Sequence, residues 1–109
     1  MTSPTAVPGI SAAFQAFLTQ APNHASAWMT GISGLENATK LDKKTAALAY
    51  LAVLAAVRLE SGVPFHARLA KQAGATRDEV ISAVLIGLPA VGNAATQALP
   101  MALTAYDAP

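Results

Sequence analysis

Cysteine is absent from this chain of 109 residues. The cysteine thiolate is the nucleophile and electron donor of disulfide and peroxide chemistry, so the chain cannot carry out thiol redox reactions with its own side chains. The chain has only two histidines, His24 and His66, and they lie far apart in the sequence. Without cysteine and without a histidine cluster, a zinc-type site has too few ligands. The sequence therefore predicts neither a bound metal nor a cofactor.

Charged side chains are also scarce. They make up 12% of the chain, against 53% for hydrophobic residues, whereas an ordinary globular chain is about one quarter charged. Alanine accounts for part of this apolar content, but Val, Ile, Leu and Phe are plentiful as well. A single small domain has difficulty burying so much apolar surface. We therefore expect part of the surface to be an interface between subunits of a homo-oligomer.

Three features that would direct the chain to nucleic acid, a membrane or a secretion pathway are missing. The seven Lys and Arg residues form no run, which argues against nucleic acid as a partner. The longest apolar stretch, from Ala46 to Val57, is too short to cross a bilayer. The amino terminus has no basic segment followed by an apolar one, as a signal peptide would. We expect no membrane association and a cytoplasmic location.

The remaining pattern is helical. No stretch alternates polar and apolar residues between turn signals as a strand does. Glycine, proline and capping residues divide the chain into helical stretches, which predicts an all-α fold of about six helices. Residues 1–9, rich in Pro, Ser and Thr, are predicted to form a flexible arm, and residues 10–109 a single domain.

Ser11 and Asp42 are of the types that cap helix amino termini, and they predict the starts of the first and third helices. A second helix is predicted from Asn23, with four apolar side chains facing inward: Ala27, Trp28, Ile32 and Leu35. The third helix is apolar on nearly every side between Thr45 and Leu59 and should stop near Gly62. A helix of this kind is usually buried by other helices.

Proline and glycine delimit the fourth helix. Pro64 suits its first turn, and Gly74 suits its carboxyl-terminal end. Directly after it, Thr76 and Glu79 have the spacing of a capping box, in which each side chain satisfies the backbone N–H of the other residue. The capping box predicts the start of a fifth helix.

The last third of the chain contains two further prolines. The fifth helix is expected to run to about Leu88, where Pro89 ends it. A final helix is predicted from Gly92 to about Tyr106, with a kink at Pro100 because the proline ring clashes with the preceding turn.

The middle of the chain contains an ordered series of features: Leu41-Asp42-Lys43-Lys44-Thr45, an alanine-rich helix, His66 with Ala70, Gly74-Ala75-Thr76, Asp78-Glu79-Val80, and Gly92. This series resembles the carboxymuconolactone decarboxylase family, which includes the alkylhydroperoxidase D-like proteins. The resemblance covers roughly residues 41–98. The resemblance implies an alkylhydroperoxidase D-like helical fold, assembly into a trimer or hexamer, and a small-molecule ligand.

The peroxidase-like members of that family have two cysteines before the histidine and a glutamate one helix earlier. Aligned on His66, the cysteines would fall at Leu59 and Gly62, and the glutamate at Ala47. None of these three residues can transfer electrons or protons. The resemblance therefore implies a member that has lost peroxidase activity.

The decarboxylase-type members retain the histidine and have carboxylates about one turn before it. In this chain Glu60 lies six residues ahead of His66, and Gly62 stands where an acid is expected. This departure makes the decarboxylase assignment less direct. Glu60 could orient the imidazole or share a proton with it, or it could be a solvated side chain paired with Arg58 or Arg68.

His66 is the candidate catalytic residue, with Glu60 as its candidate partner. The amino-terminal end of a helix disfavours a protonated imidazole, so His66 should be neutral and able to accept a proton. In the enzyme reading it moves a proton on a small lactone or carboxylate compound, in a decarboxylase- or isomerase-type reaction. In the alternative reading His66 only caps a helix corner. The protein would then be a non-catalytic, ligand-binding or structural member of the family.

Overall fold

The computed structural model describes residues 10–109, and this part of the chain is helical without strands. Its seven α-helices are α1 (Ala12–Gln20), α2 (Pro22–Ala38), α3 (Lys43–Ala56), α4 (Val63–Gln72), α5 (Arg77–Leu85), α6 (Leu88–Val91) and α7 (Leu99–Asp107). Two segments, Glu60–Gly62 and Gly92–Ala98, are 3₁₀-helices. The predicted all-α class is confirmed. The predicted arm at residues 1–9 lies outside the described residues.

The chain divides into two compact units, with the boundary between Leu41 and Asp42. In the first unit, the Ser11 hydroxyl accepts a hydrogen bond from the backbone N–H of Phe14 at 3.1 Å, so the predicted cap of α1 is confirmed. Phe14 and Phe17, one turn apart, then contact each other edge to face with ring centroids 5.9 Å apart. This unit contains α1 and α2.

The inward face predicted for the second helix is wrong. Ala25 is the buried residue of α2, while Trp28 is 57% exposed and Leu35 72% exposed. Ala27 is exposed and Ile32 only partly buried. Apolar periodicity identifies the face of a helix that avoids water, but it cannot identify what covers that face.

The second unit contains the core. Its buried residues come from four helices, the second 3₁₀ segment and the turn between α4 and α5, and more than half of those outside α3 are alanine. They include Leu51, Leu54, Ala55, Val63, Ala67, Ala70, Val80, Val84, Ala98 and Ala102. Small side chains let the helices approach closely, and the few larger ones fill the space between them. Helix α3 packs against α4 and α5, and α4 packs against α7.

The expectation that α3 is buried on all sides is also wrong. One stripe, made of Tyr50 and Val53 in the helix and of Val57 at its C-cap, is 51%, 57% and 57% exposed. These residues follow the i, i+3, i+7 spacing of a single helix face. The other helices of this unit therefore leave one apolar face of α3 open to solvent.

Three predicted boundaries in this unit are confirmed by hydrogen bonds. The Asp42 carboxylate accepts from the backbone N–H of Thr45 at 2.7 Å. Gly74 has φ +97°, and the bonds from Gly74 N–H to Lys71 and from Ala75 N–H to Ala70 form a Schellman motif. Thr76 and Glu79 make both bonds of the capping box.

The two late prolines begin helices rather than ending or kinking them. Helix α5 ends at Leu85, and Pro89 lies in the first turn of the short helix α6. Pro100 lies in the first turn of α7, where the preceding 3₁₀ segment ends. Proline suits a first turn because the missing N–H would have no partner there in any case.

By length and hydropathy alone, residues 77–107 could cross a membrane. This segment is not one straight helix, because it contains α5, α6, a 3₁₀ segment and α7, and α5 packs against α7. The ion pair between Arg77 and Asp107, at 2.9 Å, joins the two ends of the segment. The segment thus folds back on itself and contributes Val84 and Ala102 to the core.

Candidate functional site

The site around His66 lies where the chain passes from α3 to α4. Helix α3 ends at Ala56, before the predicted stop near Gly62, because Arg58 takes a left-handed conformation with φ 63°. The Leu59 N–H then bonds to the Leu54 carbonyl at 2.9 Å, in the pattern of a Schellman motif. Arg58 stands in the position that glycine usually takes. The Glu60–Gly62 3₁₀ turn follows and leads directly into α4.

His66 is placed at the start of α4, as the sequence predicted. The helix begins at Val63, with Pro64 in its first turn, and the His66 side chain is partly buried. The Tyr50 ring from α3 stacks on the imidazole, with ring centroids 4.3 Å apart and planes inclined by 27°. Phe65 approaches the imidazole edge to face at 5.3 Å. Two aromatic rings thus surround the His66 side chain.

Burial lowers the pKa of His66 below the ordinary value of 6.5, because it disfavours the charged imidazolium. The imidazole is therefore mainly neutral at pH 7, so that one ring nitrogen carries a proton and the other can accept one. Within residues 10–109, no protein group makes a hydrogen bond to either ring nitrogen. A neutral imidazole with uncommitted nitrogens is chemically able to accept a proton from a ligand.

Glu60 lies on the 3₁₀ turn before α4, and its carboxylate accepts a hydrogen bond from the Arg58 guanidinium. This ion pair is one of the two arrangements that the sequence left open for Glu60. The described contacts do not include a hydrogen bond between Glu60 and His66. The structure therefore brings Glu60 to the same corner as His66 without joining the two side chains.

The sequence favours the core over the wall of a small-molecule pocket for Tyr50, since a tyrosine within an apolar helix is more often a core residue. The structure places it at the site instead. Half of its surface is exposed and its ring lies on His66. The available signal was that α3 and α4 are joined by a short turn, which brings side chains of the two helices together.

A family model, that of the carboxymuconolactone decarboxylase family, matches residues 22–104. The chain belongs to this family. The match covers most of the chain and extends over both compact units. Searches of curated proteins and of solved structures found no significant match.

Within the carboxymuconolactone decarboxylase family, the resemblance placed the redox cysteines of the peroxidase-like members at Leu59 and Gly62. A Cβ atom added to Gly62 would lie 4.0 Å from Cδ2 of His66 and 3.5 Å from Leu54. Position 62 is therefore next to the imidazole, whereas the Leu59 side chain is 56% exposed. Ala47, at the glutamate position, packs against the core. With no sulfur at either position, this member has no thiol redox chemistry of its own.

Proposed function

We propose that this family member binds a small lactone or carboxylate compound and acts on it by proton transfer at His66. One observation carries the proposal: the imidazole of His66 packs against two aromatic rings, with a lowered pKa and no protein hydrogen bond in residues 10–109. Membership of the carboxymuconolactone decarboxylase family supports the ligand class. A thiol peroxidase is a poor alternative because the chain has no cysteine.

In this proposal the neutral imidazole accepts a proton from the bound compound and returns it at another atom. Such a transfer accompanies an isomerisation, or the loss of a carboxylate as carbon dioxide followed by protonation of the carbanion that remains. Histidine is suited to both steps because small changes around the ring move its charge across neutral pH. Glu60 is proposed as a helper that reaches His66 only if its ion pair with Arg58 opens.

The experiment is a turnover assay with carboxymuconolactone as the probe, following loss of the substrate and release of carbon dioxide. We expect His66→Asn to lower kcat by about 10²- to 10⁴-fold, the usual contribution of a positioned acid or base. His24→Asn is the matched control, since His24 is exposed on α2, and it should leave kcat unchanged.

Two results would contradict the proposed chemistry. One is turnover by His66→Asn at the rate of the unmodified protein. The other is binding of the probe, seen by calorimetry, without any turnover by the unmodified protein. The second result favours the alternative function, a non-catalytic ligand-binding member. The Arg58–Glu60 ion pair is the observation that favours this alternative, because it occupies the carboxylate that decarboxylase-type relatives keep near the histidine.

We also propose that the protein acts in the cytoplasm as a homo-oligomer, either a trimer or a hexamer. The support is the apolar surface left open on both compact units, for example Trp28 and Leu35 on one and Val53 and Ile86 on the other. Apolar side chains exposed in this number usually mark an interface. Neither a nucleic acid nor a membrane is part of the proposal.

A further inference from the structure

We propose that Tyr50 is a positioning residue of the His66 site, whose ring holds the imidazole in one orientation and covers one of its faces. The inference rests on the proposed function, because a fixed imidazole matters only if His66 meets a ligand. It goes beyond that function in assigning a role to a residue that carries none of the proposed proton transfer.

The rings of Tyr50 and His66 are stacked. The planes are inclined by 27° and the centroids are 4.3 Å apart, close to the lower limit for aromatic pairs. The rings come from α3 and α4, which pack against each other, so the stack joins two elements of the core. Phe65 approaches at 86°, and together the two rings restrict rotation of the imidazole. The polar edge of the imidazole, which carries both nitrogens, is the part that a stacked ring leaves uncovered.

Packing alone does not account for Tyr50. The residue is 51% exposed, and within residues 10–109 its hydroxyl makes no hydrogen bond. Tyr106 provides a contrast within the same unit, because its hydroxyl donates to the Ala75 carbonyl at 2.8 Å and thereby holds α7 to the α4–α5 turn. Tyr50 thus has a free polar tip beside an imidazole with free nitrogens, which suits a residue at the edge of a binding site.

Three ion pairs engage many of the charged groups on the elements around α4, whereas Lys43, Arg68 and Asp78 take part in no salt bridge within residues 10–109. Glu60 on the 3₁₀ turn pairs with Arg58, Glu79 on α5 with Lys44 of α3, and Asp107 on α7 with Arg77. Lys71, later on α4, donates to the Tyr106 carbonyl. Burial is the cause of the lowered pKa of His66, and a neighbouring charge is not. The Tyr50 ring stacks on the imidazole and so helps to exclude water from it.

The test follows the His66 imidazole by NMR titration. Tyr50→Phe retains the ring, and the pKa of His66 should stay where it is. Tyr50→Leu and Tyr50→Gln remove the ring, and the pKa of His66 should rise towards 6.5. Val53→Leu, at another exposed position of α3, is the matched control and should leave the pKa of His66 unchanged.

The same variants are then assayed for turnover of carboxymuconolactone. Tyr50→Leu should lose roughly two- to tenfold in kcat, the rate equivalent of one aromatic stack. Its pH–rate profile should move in parallel with the pKa of His66, which a purely structural loss would not cause. Tyr50→Phe should retain the original profile.

An unchanged pKa of His66 in both ring-removing variants, with folding confirmed by circular dichroism, would overturn the inference. The inference would also be overturned if the pKa of His66 shifted as far in Tyr50→Phe as in the variants that remove the ring. Failure of the proposed function gives a different pattern. In that case His66→Asn has unchanged turnover while the titration of His66 still depends on the Tyr50 ring.

Discussion

At the scale of single residues, the protonation state of His66 is the property with the clearest consequence. An exposed histidine would be partly charged near neutral pH, whereas burial keeps this one neutral. The proton affinity of His66 is therefore lower in the folded protein than in the unfolded chain. Because of this difference, the free energy of unfolding depends on pH.

We predict that acid destabilises the protein through His66 at a higher pH than through its carboxylates. Since the pKa of His66 is lower in the folded state, the unfolded state binds more protons below 6.5. The contribution of His66 is thus complete above pH 6.5 and decreases as the pH falls through the folded-state pKa. Urea unfolding at several pH values between 7 and 5 measures this contribution of His66 to the free energy of unfolding.

His66→Gln should flatten the dependence of the unfolding free energy on pH in that window. Equal slopes for the unmodified protein and His66→Gln would contradict the prediction. The carboxylates of Asp42, Glu79 and Asp107 act at lower pH. Hydrogen bonds and ion pairs lower the pKa of each from ordinary values of 3.8, 4.5 and 3.8, so their contribution is present above those values and lost below them.

At the scale of helices, the backbone conformation of individual glycines determines where the elements end. Gly74 follows α4 with φ +97°, and Gly34 lies inside α2 with an ordinary helical conformation. A Cβ atom at either position would meet nothing within 4 Å. The two sites therefore differ in backbone conformation and not in available space.

We predict effects of opposite sign for the same substitution at these two glycines. Gly74→Ala should lower the free energy of unfolding by about 1 kcal/mol, because an L side chain is strained at positive φ. Gly34→Ala should leave stability unchanged or raise it by up to about 1 kcal/mol, because alanine is the better helix former. Thermal and urea unfolding measure both. A stabilising Gly74→Ala would show that the turn after α4 is not held in the Schellman conformation.

At the scale of the whole molecule, apolar side chains on the outside require an explanation. The open stripe on α3, formed by Tyr50, Val53 and Val57, is continuous with the His66 site through Tyr50. Burial of such side chains in a subunit interface contributes roughly 25 cal/mol per Å² of apolar area. An interface at this stripe would also remove water from the edge of the site.

We predict that the protein is a trimer or hexamer by light scattering and that Val53→Glu with Val57→Glu reduces its mass. Charges placed in an apolar interface lose hydration without gaining partners. Thr104→Glu, at an exposed position of α7, is the matched control and should leave the mass unchanged. A monomeric unmodified protein would contradict the oligomer, and a double variant of unchanged mass would exclude the α3 stripe as its interface.

Several features followed from the sequence because each depends on residues close together in the chain. Three helices are capped by a side chain that accepts a hydrogen bond from the backbone N–H three residues later, at Ser11, Asp42 and Thr76. Gly74 ends a helix because its backbone can take a positive φ. The position of His66 at the start of α4 is local in the same way, since Pro64 and the preceding turn set it. The absence of cysteine excludes intrinsic thiol chemistry whatever the fold.

The tertiary structure decided the relations between helices. The sequence could not show that Tyr50 stacks on His66, that Glu60 pairs with Arg58, or that α3 keeps an open apolar face. From the sequence, Pro89 was expected to end a helix and Pro100 to kink one, whereas the structure places each proline in the first turn of a helix. The physical reason is the same in each case. Local rules determine which residues can form a helix, whereas side-chain contacts and burial depend on which other helix lies against it.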